Sequence, residues 1–286
     1  METIAARLAA VHERLAAAAR HAARPPEEIT LVGVTKTQPP QAVSEALAAG
    51  LRDFGENRVQ EAEEKITALA AERARITWHL IGHLQRNKAK KAAALFDVIH
   101  SLDSLRLAEM LDRALEEQRT KNKEQARRTE NGHPQGQPRN AEPGRSPAHP
   151  LTRSPAHPLT RSPLPVLLQV NVSGEASKEG YALAGWEERP AVLDAFLAEV
   201  EALLALSHLR VRGLMTIAPW GADPEAARPA FRSARRLRDM LARRFPQADW
   251  SALSMGMTED FAVAIEEGAT IVRIGRAIFG ERPVSA

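Results

Sequence analysis

The sequence predicts a single (β/α)8 barrel preceded by one extra helix. Eight short, apolar segments rich in β-branched residues alternate with helical segments along the 286 residues. No G-x-G-x-x-G motif follows the first strand, which leaves the runner-up, a doubly wound open sheet, without its usual dinucleotide signature. The sequence contains no cysteine, so disulfides, thiolate metal sites and a cysteine nucleophile are excluded.

The first element is an amphipathic helix over residues 1–20. Its apolar residues Ile4, Leu8, Val11 and Leu15 recur at steps of three and four among charged residues. A signal peptide would instead have a continuous apolar core and a cleavage site. The sequence also lacks the run of about eighteen apolar residues that a membrane-spanning helix needs. We therefore expect a cytoplasmic monomer with no membrane-spanning segment.

The strands and helices then alternate in order. The predicted strands are 29–36, 51–55, 76–82, 97–102, 165–172, 210–218, 250–256 and 270–275. The predicted helices are 40–49, 57–73, 86–95, 104–117, 187–206, 224–244 and 258–267. Gly50 and Gly268 follow two of these helices as C-terminal glycines often do, and Asn57 is a credible N-cap for the helix that begins there.

A basic, proline-rich insertion, residues 118–163, separates strands four and five. It holds nine Lys and Arg, three Asp and Glu, and eight of the chain's 19 prolines, and it repeats the octapeptide RSPAHPLT twice in succession. An octapeptide is too short to be a solenoid unit. With few large apolar residues, the segment is predicted to be a disordered loop within one domain spanning 1–286. Outside it the chain is slightly acidic, so the charge disfavours nucleic-acid binding, which remains an alternative only through this insertion.

Lys36 is the most informative single residue, because it closes the first predicted strand. A lysine in that place must either extend into solvent at the end of the sheet or lose its charge. Desolvation lowers the pKa of an amine, and a neutral amine is a nucleophile toward aldehydes. Since functional residues of such barrels lie at the carboxyl ends of the strands, Lys36 is a candidate Schiff-base residue, with a solvent-reaching lysine as the alternative.

A phosphate site is predicted at the ends of strands seven and eight. Ser254 and Gly256 lie at the end of strand seven, and Arg273 and Gly275 at the end of strand eight. Barrels commonly bind phosphate with these two loops, where glycines let backbone N–H groups approach and a hydroxyl and a guanidinium add donors. A phosphate site across the barrel mouth from Lys36 suggests pyridoxal 5′-phosphate (PLP) as the cofactor.

No metal site is predicted. His79 and His83 are four residues apart, but they flank a strand end and do not lie on one helix face. No carboxylate obviously converges on them, and a metal site normally needs three or more ligands.

Eight motifs occur in order along the chain: VTK (34–36), FGENRVQE (54–61), WHLIGHLQRNK (78–88), HSLDS (100–104), QVNVS (169–173), RGLMTI (212–217), LSMGM (253–257) and VRIGRAIFG (272–280). They resemble the motifs of the pyridoxal-phosphate homeostasis proteins, and the resemblance covers about 1–117 and 164–283.

The resemblance implies a barrel like the N-terminal domain of alanine racemase, with PLP bound as an internal aldimine on Lys36. It also implies cofactor contacts from Asn57 beside the ring and from Ser254, Gly256, Arg273 and Gly275 around the phosphate. Whether Arg273 contacts the phosphate or the pyridine nitrogen is left open by the sequence.

The resemblance also implies a role without established catalysis. Family members are regarded as carriers of PLP or regulators of vitamin B6 pools, and apo forms of PLP-dependent enzymes would be the recipients. Racemisation in this barrel class pairs a lysine with a tyrosine from a second domain, whereas this chain ends soon after strand eight and its only tyrosine is Tyr181. We therefore expect a carrier with no catalytic residue. The alternatives are a fold type III amino-acid racemase and a Schiff-base aldolase without a cofactor.

Overall fold

The computed structural model describes residues 2–130, 163–219, 221 and 223–281. Its strands are β1 (Thr30–Val34), β2 (Asp53–Glu56), β3 (Thr77–Leu80), β4 (Val98–Leu102), β5 (Leu164–Asn171), β6 (Tyr181–Ala182), β7 (Leu209–Met215), β8 (Ala252–Ser254) and β9 (Ile271–Ile274). Its α-helices are α1 (Ile4–His21), α2 (Pro40–Ala48), α3 (Val59–Ala68), α4 (Ala89–Leu95), α5 (Leu105–Glu130), α6 (Pro190–Leu204), α7 (Arg228–Arg244), α8 (Phe261–Glu266) and α9 (Arg276–Phe279). Four of the predicted helices are partly 3-10 helix, at Ala70–Arg75, Arg86–Lys88, Trp186–Glu188 and Pro224–Ala227.

Eight parallel strands close into a barrel, which confirms the predicted fold. The strand order is β4-β3-β2-β1-β9-β8-β7-β5, and a pairing between β4 and β5 closes the ring. The two-residue strand β6, which the sequence did not predict, pairs with β5 beyond the ring. Among the described residues, no helix is both long and apolar enough to cross a bilayer.

The barrel interior has an apolar layer below a polar layer. A compact apolar cluster, separate from the larger core, consists of Val32, Leu167, Met215, Ala252 and Ile271. Because strand side chains alternate between the two faces, Gln169, Ser254 and Arg273 lie on the same interior face, one step nearer the carboxyl ends. Phe54 and Trp78 instead belong to the larger core between strands and helices, with ring centroids 5.9 Å apart. The polar candidates therefore sit at the predicted functional end.

The predicted N-terminal helix is confirmed as α1. Ile4, Leu8, Val11 and Leu15 are all buried, as the helical period indicates. The helix packs on α8 and α9, which flank β9 in sequence. Arg7 fixes this packing, because its Nε donates a 2.7 Å hydrogen bond to the Ile278 carbonyl. The extra helix thus supports the strand that carries Arg273.

The insertion begins later than its composition indicated. Helix α5 continues to Glu130, so residues 118–130 are helical and the expected loop boundary at 118 is wrong. Residues 118–130 contain no proline and several good helix formers, and an ion pair of 2.7 Å between Lys90 and Glu117 joins the helix to α4. Residues 131–162, which include the proline-rich repeat, lie outside the described residues and fall between strands β4 and β5.

The expected N-cap at Asn57 is also wrong, since Arg58 occupies the N-cap position of α3 without a side-chain cap bond. Asn57 belongs instead to a loop packed against Gly82, where a Cβ atom would lie 2.4 Å from the Asn57 carbonyl oxygen. The two predicted C-terminal glycines are confirmed, because Gly50 and Gly268 follow α2 and α8 with φ of 105° and 94°.

Candidate functional site

Lys36 lies two residues beyond β1, at the carboxyl end of the barrel, and is half-buried. The backbone stays paired with β2 up to this point, since the Thr35 N–H donates to the Gly55 carbonyl at 3.0 Å. The strand alternation that places Val32 inside the barrel assigns Lys36 to the interior rim of the mouth. The structure thus brings Lys36 to the place that the sequence predicted.

A second lysine near this strand end, Lys65, does not compete with Lys36 as a nucleophile. Lys65 is buried on α3, and its Nζ donates to Glu56 Oε1 at 2.6 Å and to Glu61 Oε1 at 2.8 Å. With a further hydrogen bond donated to the Thr35 carbonyl, Nζ is held by three acceptors and is not presented to an aldehyde. Lys36 remains the candidate.

A chain of hydrogen bonds crosses the polar layer of the barrel from Asp53 to Arg273. His79 Nε2 lies 3.0 Å from Asp53 Oδ1, and His79 Nδ1 lies 2.9 Å from His100 Nε2. His100 Nδ1 lies 3.0 Å from Ser254 Oγ, which also accepts a 2.7 Å hydrogen bond from Arg273 Nη1. All five residues are buried. We call this set the polar relay.

With both imidazoles neutral, the two ends of the polar relay determine the direction of every hydrogen bond in it. Arg273 can only donate and the Asp53 carboxylate can only accept. His79 therefore donates from Nε2 to Asp53 and accepts at Nδ1 from His100 Nε2. His100 in turn accepts at Nδ1 from the Ser254 hydroxyl. Each imidazole needs only one proton in this arrangement. Burial lowers the pKa of His100 well below its usual value, and His79 and Arg273 act in the same direction.

We expect the relay to make stability fall in mild acid. In the unfolded chain His100 titrates near pH ~6.5, whereas its folded pKa is lower, so the unfolded state binds the proton first. The free energy of unfolding should therefore decrease by up to about 1.4 kcal/mol per pH unit as the pH falls below ~6.5 toward the folded pKa. Denaturant titrations of wild type and His100→Gln should differ in this slope. His21→Gln, which changes an exposed histidine, should keep the wild-type slope, and a wild-type slope in His100→Gln would contradict the assignment.

Arg273 is a buried cation with neutral hydrogen-bond partners. Its Nη1 donates to Ser254 Oγ and its Nη2 donates to the Thr216 carbonyl at 3.0 Å, while its residue surface is only 4% exposed. Burial lowers the pKa of Arg273 to about 10, against the opposing charge of Asp260. Among the described residues, no carboxylate hydrogen-bonds to this guanidinium. A buried cation of this kind is stabilised by a nearby anion.

The strands that carry the candidates are neighbours. Strand β1 pairs with β9, with Val32 beside Arg273, and β9 pairs with β8 at Ser254. The expectation that the phosphate site faces Lys36 across the barrel mouth is therefore wrong, because a closed ring places its first strand beside its last. Strand β1 also lies between β2 and β9, so the loop of Asn57 and the loop of Gly275 flank Lys36 on opposite sides.

The two glycines differ in how tightly they are packed. Gly256 has a φ of 92°, and a Cβ atom there would lie 2.6 Å from the Ala264 Cβ, so the loop after β8 is constrained to glycine at this position. A Cβ atom on Gly275 would lie 3.4 Å from the Val34 carbonyl oxygen, which is ordinary contact, and its φ is −109°. The loop after β9 therefore packs on β1 but does not require glycine at 275.

Comparisons with known proteins identify the family. The family model for the N-terminal domain of alanine racemase matches residues 151–283. The pyridoxal phosphate homeostasis protein of Pseudomonas aeruginosa is 41% identical over 286 residues, covering 100% of this chain and 99% of the relative. The chain belongs to the pyridoxal phosphate homeostasis protein family. The family member of Escherichia coli K12 is 38% identical over 290 residues, covering 100% of this chain and 99% of that protein.

A solved structure of the same family supports the barrel assignment. PipY of Synechococcus elongatus PCC7942, solved with PLP bound, matches this chain with a TM-score of 0.67 and 34% identity. The match covers 97% of this chain and 100% of PipY. The relationship therefore extends over the whole barrel, including β1 to β4, which precede the residues matched by the family model.

One cluster at the rim of this family member departs from the sequence-based expectation. Carboxylates do converge on His83, because Asp103 Oδ2 lies 3.2 Å from His83 Nδ1, and Glu179 completes a group whose ligand atoms lie within 4.8 Å of one another. His83 and Asp103 also line a cavity of about 460 Å³ that includes none of the six predicted cofactor residues. We place the candidate site by the chemistry of Lys36 and Arg273, since a surface depression does not by itself define a functional site.

Proposed function

We propose that this protein binds PLP and acts in PLP homeostasis as a carrier, with the cofactor held through a Schiff base on Lys36. The observation that carries the proposal is the placement of Lys36 and the buried Arg273 on neighbouring strands β1 and β9 at one end of the barrel. An amine and a guanidinium in this arrangement complement an aldehyde and a phosphate on one small molecule. Relatives named as PLP homeostasis proteins and the PLP-bound PipY support the choice of cofactor.

The bound cofactor would supply an aldehyde, and Lys36 would supply the amine. When Lys36 Nζ forms the C=N bond, both amine protons leave with the aldehyde oxygen as water. The reaction reverses with water, or with the amine of a recipient protein, so that the cofactor can be released. In this proposal, Ser254, Gly256, Arg273 and Gly275 surround the phosphate and Asn57 lies beside the ring.

The polar relay refines the part proposed for Ser254. The Ser254 hydrogen is directed to His100 Nδ1, while its oxygen accepts from Arg273. Without a change in this bonding, Ser254 cannot donate to a phosphate. We infer that Arg273 provides the charge that first attracts the phosphate, and that Ser254 must turn its hydrogen away from His100 to donate to it.

A carrier fits the state of Tyr181 better than a racemase does. The Tyr181 hydroxyl donates a 3.1 Å hydrogen bond to Glu199 Oε2, and the ring packs edge-on against Phe196. Burial raises the pKa of Tyr181 strongly, and Glu199 adds to the effect. A hydroxyl that is this hard to ionise is a poor base, so the chain's only tyrosine does not replace the second base of a racemase.

We expect the protein to retain the α-deuterium of labelled alanine or serine in the presence of PLP. Exchange should stay near the rate of free PLP, because Tyr181, the chain's only tyrosine, is bonded to Glu199 and hard to ionise. Proton NMR of the recovered amino acid measures the exchange. Rapid exchange that disappears in Lys36→Ala would contradict the carrier assignment and favour the fold type III racemase.

Transfer to a recipient tests the carrier role directly. In the proposal, a cytoplasmic monomer of this protein delivers PLP to apo forms of PLP-dependent enzymes. PLP-loaded protein is mixed with an apo aminotransferase, and the return of aminotransferase activity is measured. The activity should return faster than the loaded protein releases PLP during dialysis. If it returns no faster than PLP is released, the protein stores PLP but does not deliver it to the recipient.

A further inference from the structure

A cluster of three charged residues, Glu56, Glu61 and Lys65, contacts the backbone next to Lys36. Lys65 Nζ donates to the Thr35 carbonyl at 2.5 Å, to Glu56 Oε1 at 2.6 Å and to Glu61 Oε1 at 2.8 Å. The Thr35 hydroxyl donates to the same Glu56 oxygen at 2.5 Å. The ammonium group thus uses its donors on two carboxylates and on the backbone of the residue that precedes Lys36.

The residue that follows Lys36 is tied to the same cluster. The Thr37 backbone N–H donates to Glu61 Oε1, the oxygen that Lys65 also contacts. Thr37 has a φ of 65°, a left-handed conformation that is strained for a β-branched residue. Such a conformation persists only when its surroundings impose it, and Glu61 provides that constraint. Both neighbours of Lys36 are therefore anchored to one group of charges.

Stability alone is a weak explanation for these buried charges. Burial raises the pKa of Glu56 even though Lys65 opposes the shift, and Glu56 Oε2 has no hydrogen-bond partner among the described residues. Desolvating such a cluster offsets much of its attraction, and apolar replacements of buried ion pairs are often neutral or stabilising. What the cluster does provide is a fixed geometry for three consecutive residues.

We infer that Glu61 and Lys65 are positioning residues that hold the backbone of 35–37 so that Lys36 Nζ reaches the aldehyde of the cofactor. The inference rests on the proposed function of Lys36. The inference distinguishes Schiff-base formation by Lys36 from binding of the phosphate. The cluster has no described contact with Arg273 or Ser254, so its loss should affect the amine and not the phosphate end. A displacement of about 1 Å at a reacting group can lower a rate ~100-fold.

The test compares PLP with pyridoxine 5′-phosphate, which has the phosphate and the ring but no aldehyde. Glu61→Ala removes the anchor of Thr37 and leaves the Lys65–Glu56 pair in place. We expect it to lower the rate of Schiff-base formation with PLP by ~10- to 100-fold, measured by stopped-flow absorbance. Its affinity for pyridoxine 5′-phosphate, measured by calorimetry, should stay within ~2-fold of wild type.

Two further variants keep the test decisive. Glu63 lies on α3, the helix of Glu61, and forms an exposed ion pair with Lys91 of α4. Glu63→Ala should therefore behave as wild type with both ligands. Glu61→Gln keeps an oxygen that can accept from the Thr37 N–H and should recover most of the rate, even if the alanine variant folds poorly. Three results would overturn the inference. They are equal rates of Schiff-base formation in Glu61→Ala and Glu63→Ala, an equal loss of affinity for PLP and for pyridoxine 5′-phosphate in Glu61→Ala, and a rate in Glu61→Gln as low as in Glu61→Ala. Failure of the wild-type protein to bind either ligand would instead overturn the proposed function.

Discussion

Replacing Arg273 by methionine should weaken PLP binding by at least ~30-fold. Removing one member of a buried, hydrogen-bonded charge interaction costs about 2–5 kcal/mol, and every 1.4 kcal/mol is a factor of ~10 in affinity. Arg273 is the buried cation of the candidate site, and its described hydrogen-bond partners, Ser254 Oγ and the Thr216 carbonyl, are neutral, so neither partner replaces its charge. Titration of the purified variant with PLP, followed by visible absorbance, measures the effect.

Pyridoxal, which lacks the phosphate, shows which part of the cofactor Arg273 contacts. If the guanidinium contacts the phosphate, Arg273→Met should weaken PLP binding and leave pyridoxal binding near the wild-type level. If it contacts the pyridine nitrogen, both ligands should lose affinity equally. Arg276→Met is the matched control, because Arg276 lies three residues further on at the start of α9, is exposed and pairs with Glu259; it should bind both ligands as wild type. Unchanged PLP affinity in Arg273→Met would remove Arg273 from the site.

Gly213→Ala should destabilise the fold strongly, because a single added methyl group there meets the backbone of a neighbouring strand. Gly213 lies where the register between β5 and β7 shifts, has a φ of 145°, and would place a Cβ atom 1.8 Å from the Ala252 carbonyl oxygen. Backbone strain and overpacking each cost about 1–3 kcal/mol. We therefore expect a loss of about 3 kcal/mol or more in the free energy of unfolding, or roughly 6–12 °C in Tm.

Gly221→Ala provides the comparison for this substitution. A Cβ atom on Gly221 would have no heavy atom within 4 Å, so the change should leave Tm within ~1 °C of wild type. Differential scanning calorimetry of both variants measures the two values. If Gly213→Ala were as stable as Gly221→Ala, the close approach of β7 to β8 at this position would be wrong.

The barrel could be predicted from the sequence because its strands are short, apolar and separated by helical segments of ordinary length. All eight barrel strands lie where the pattern placed them, to within a few residues at either end. Lys36, Ser254 and Arg273 were found by the same reasoning, since each follows or closes a strand whose carboxyl end is the functional end. Local pattern is sufficient for features that depend on one strand at a time.

The polar relay could not be predicted in the same way, because it joins residues from five different strands. Asp53 begins β2 and was not singled out, although an acidic residue at an inward position of a buried strand is a usable signal. His100 lay within a recognised motif without a role of its own. Only the closed ring places His79 and His100 side by side, with Ser254 within hydrogen-bonding distance.

Two errors in the sequence-based prediction have simple physical causes. The boundary of the insertion was set by a change in composition at 118, but helix propensity continues through the charged residues as far as Glu130. Asn57 was assigned as a cap on residue type alone, whereas the tight contact between its backbone and Gly82 keeps it in a loop one residue before the helix cap. Tertiary packing determined the position of Asn57, and local helix propensity carried α5 beyond residue 118.

The central claim is that Lys36 carries the cofactor, and reduction with borohydride tests it most directly. Protein loaded with PLP should retain a phosphopyridoxyl group after reduction, and peptide mapping by mass spectrometry should locate it on Lys36. Lys36→Ala should carry no label, whereas Lys90→Ala, which removes an exposed lysine paired with Glu117, should be labelled as wild type. Label on another lysine with Lys36 unmodified, or undiminished label in Lys36→Ala, would contradict the account.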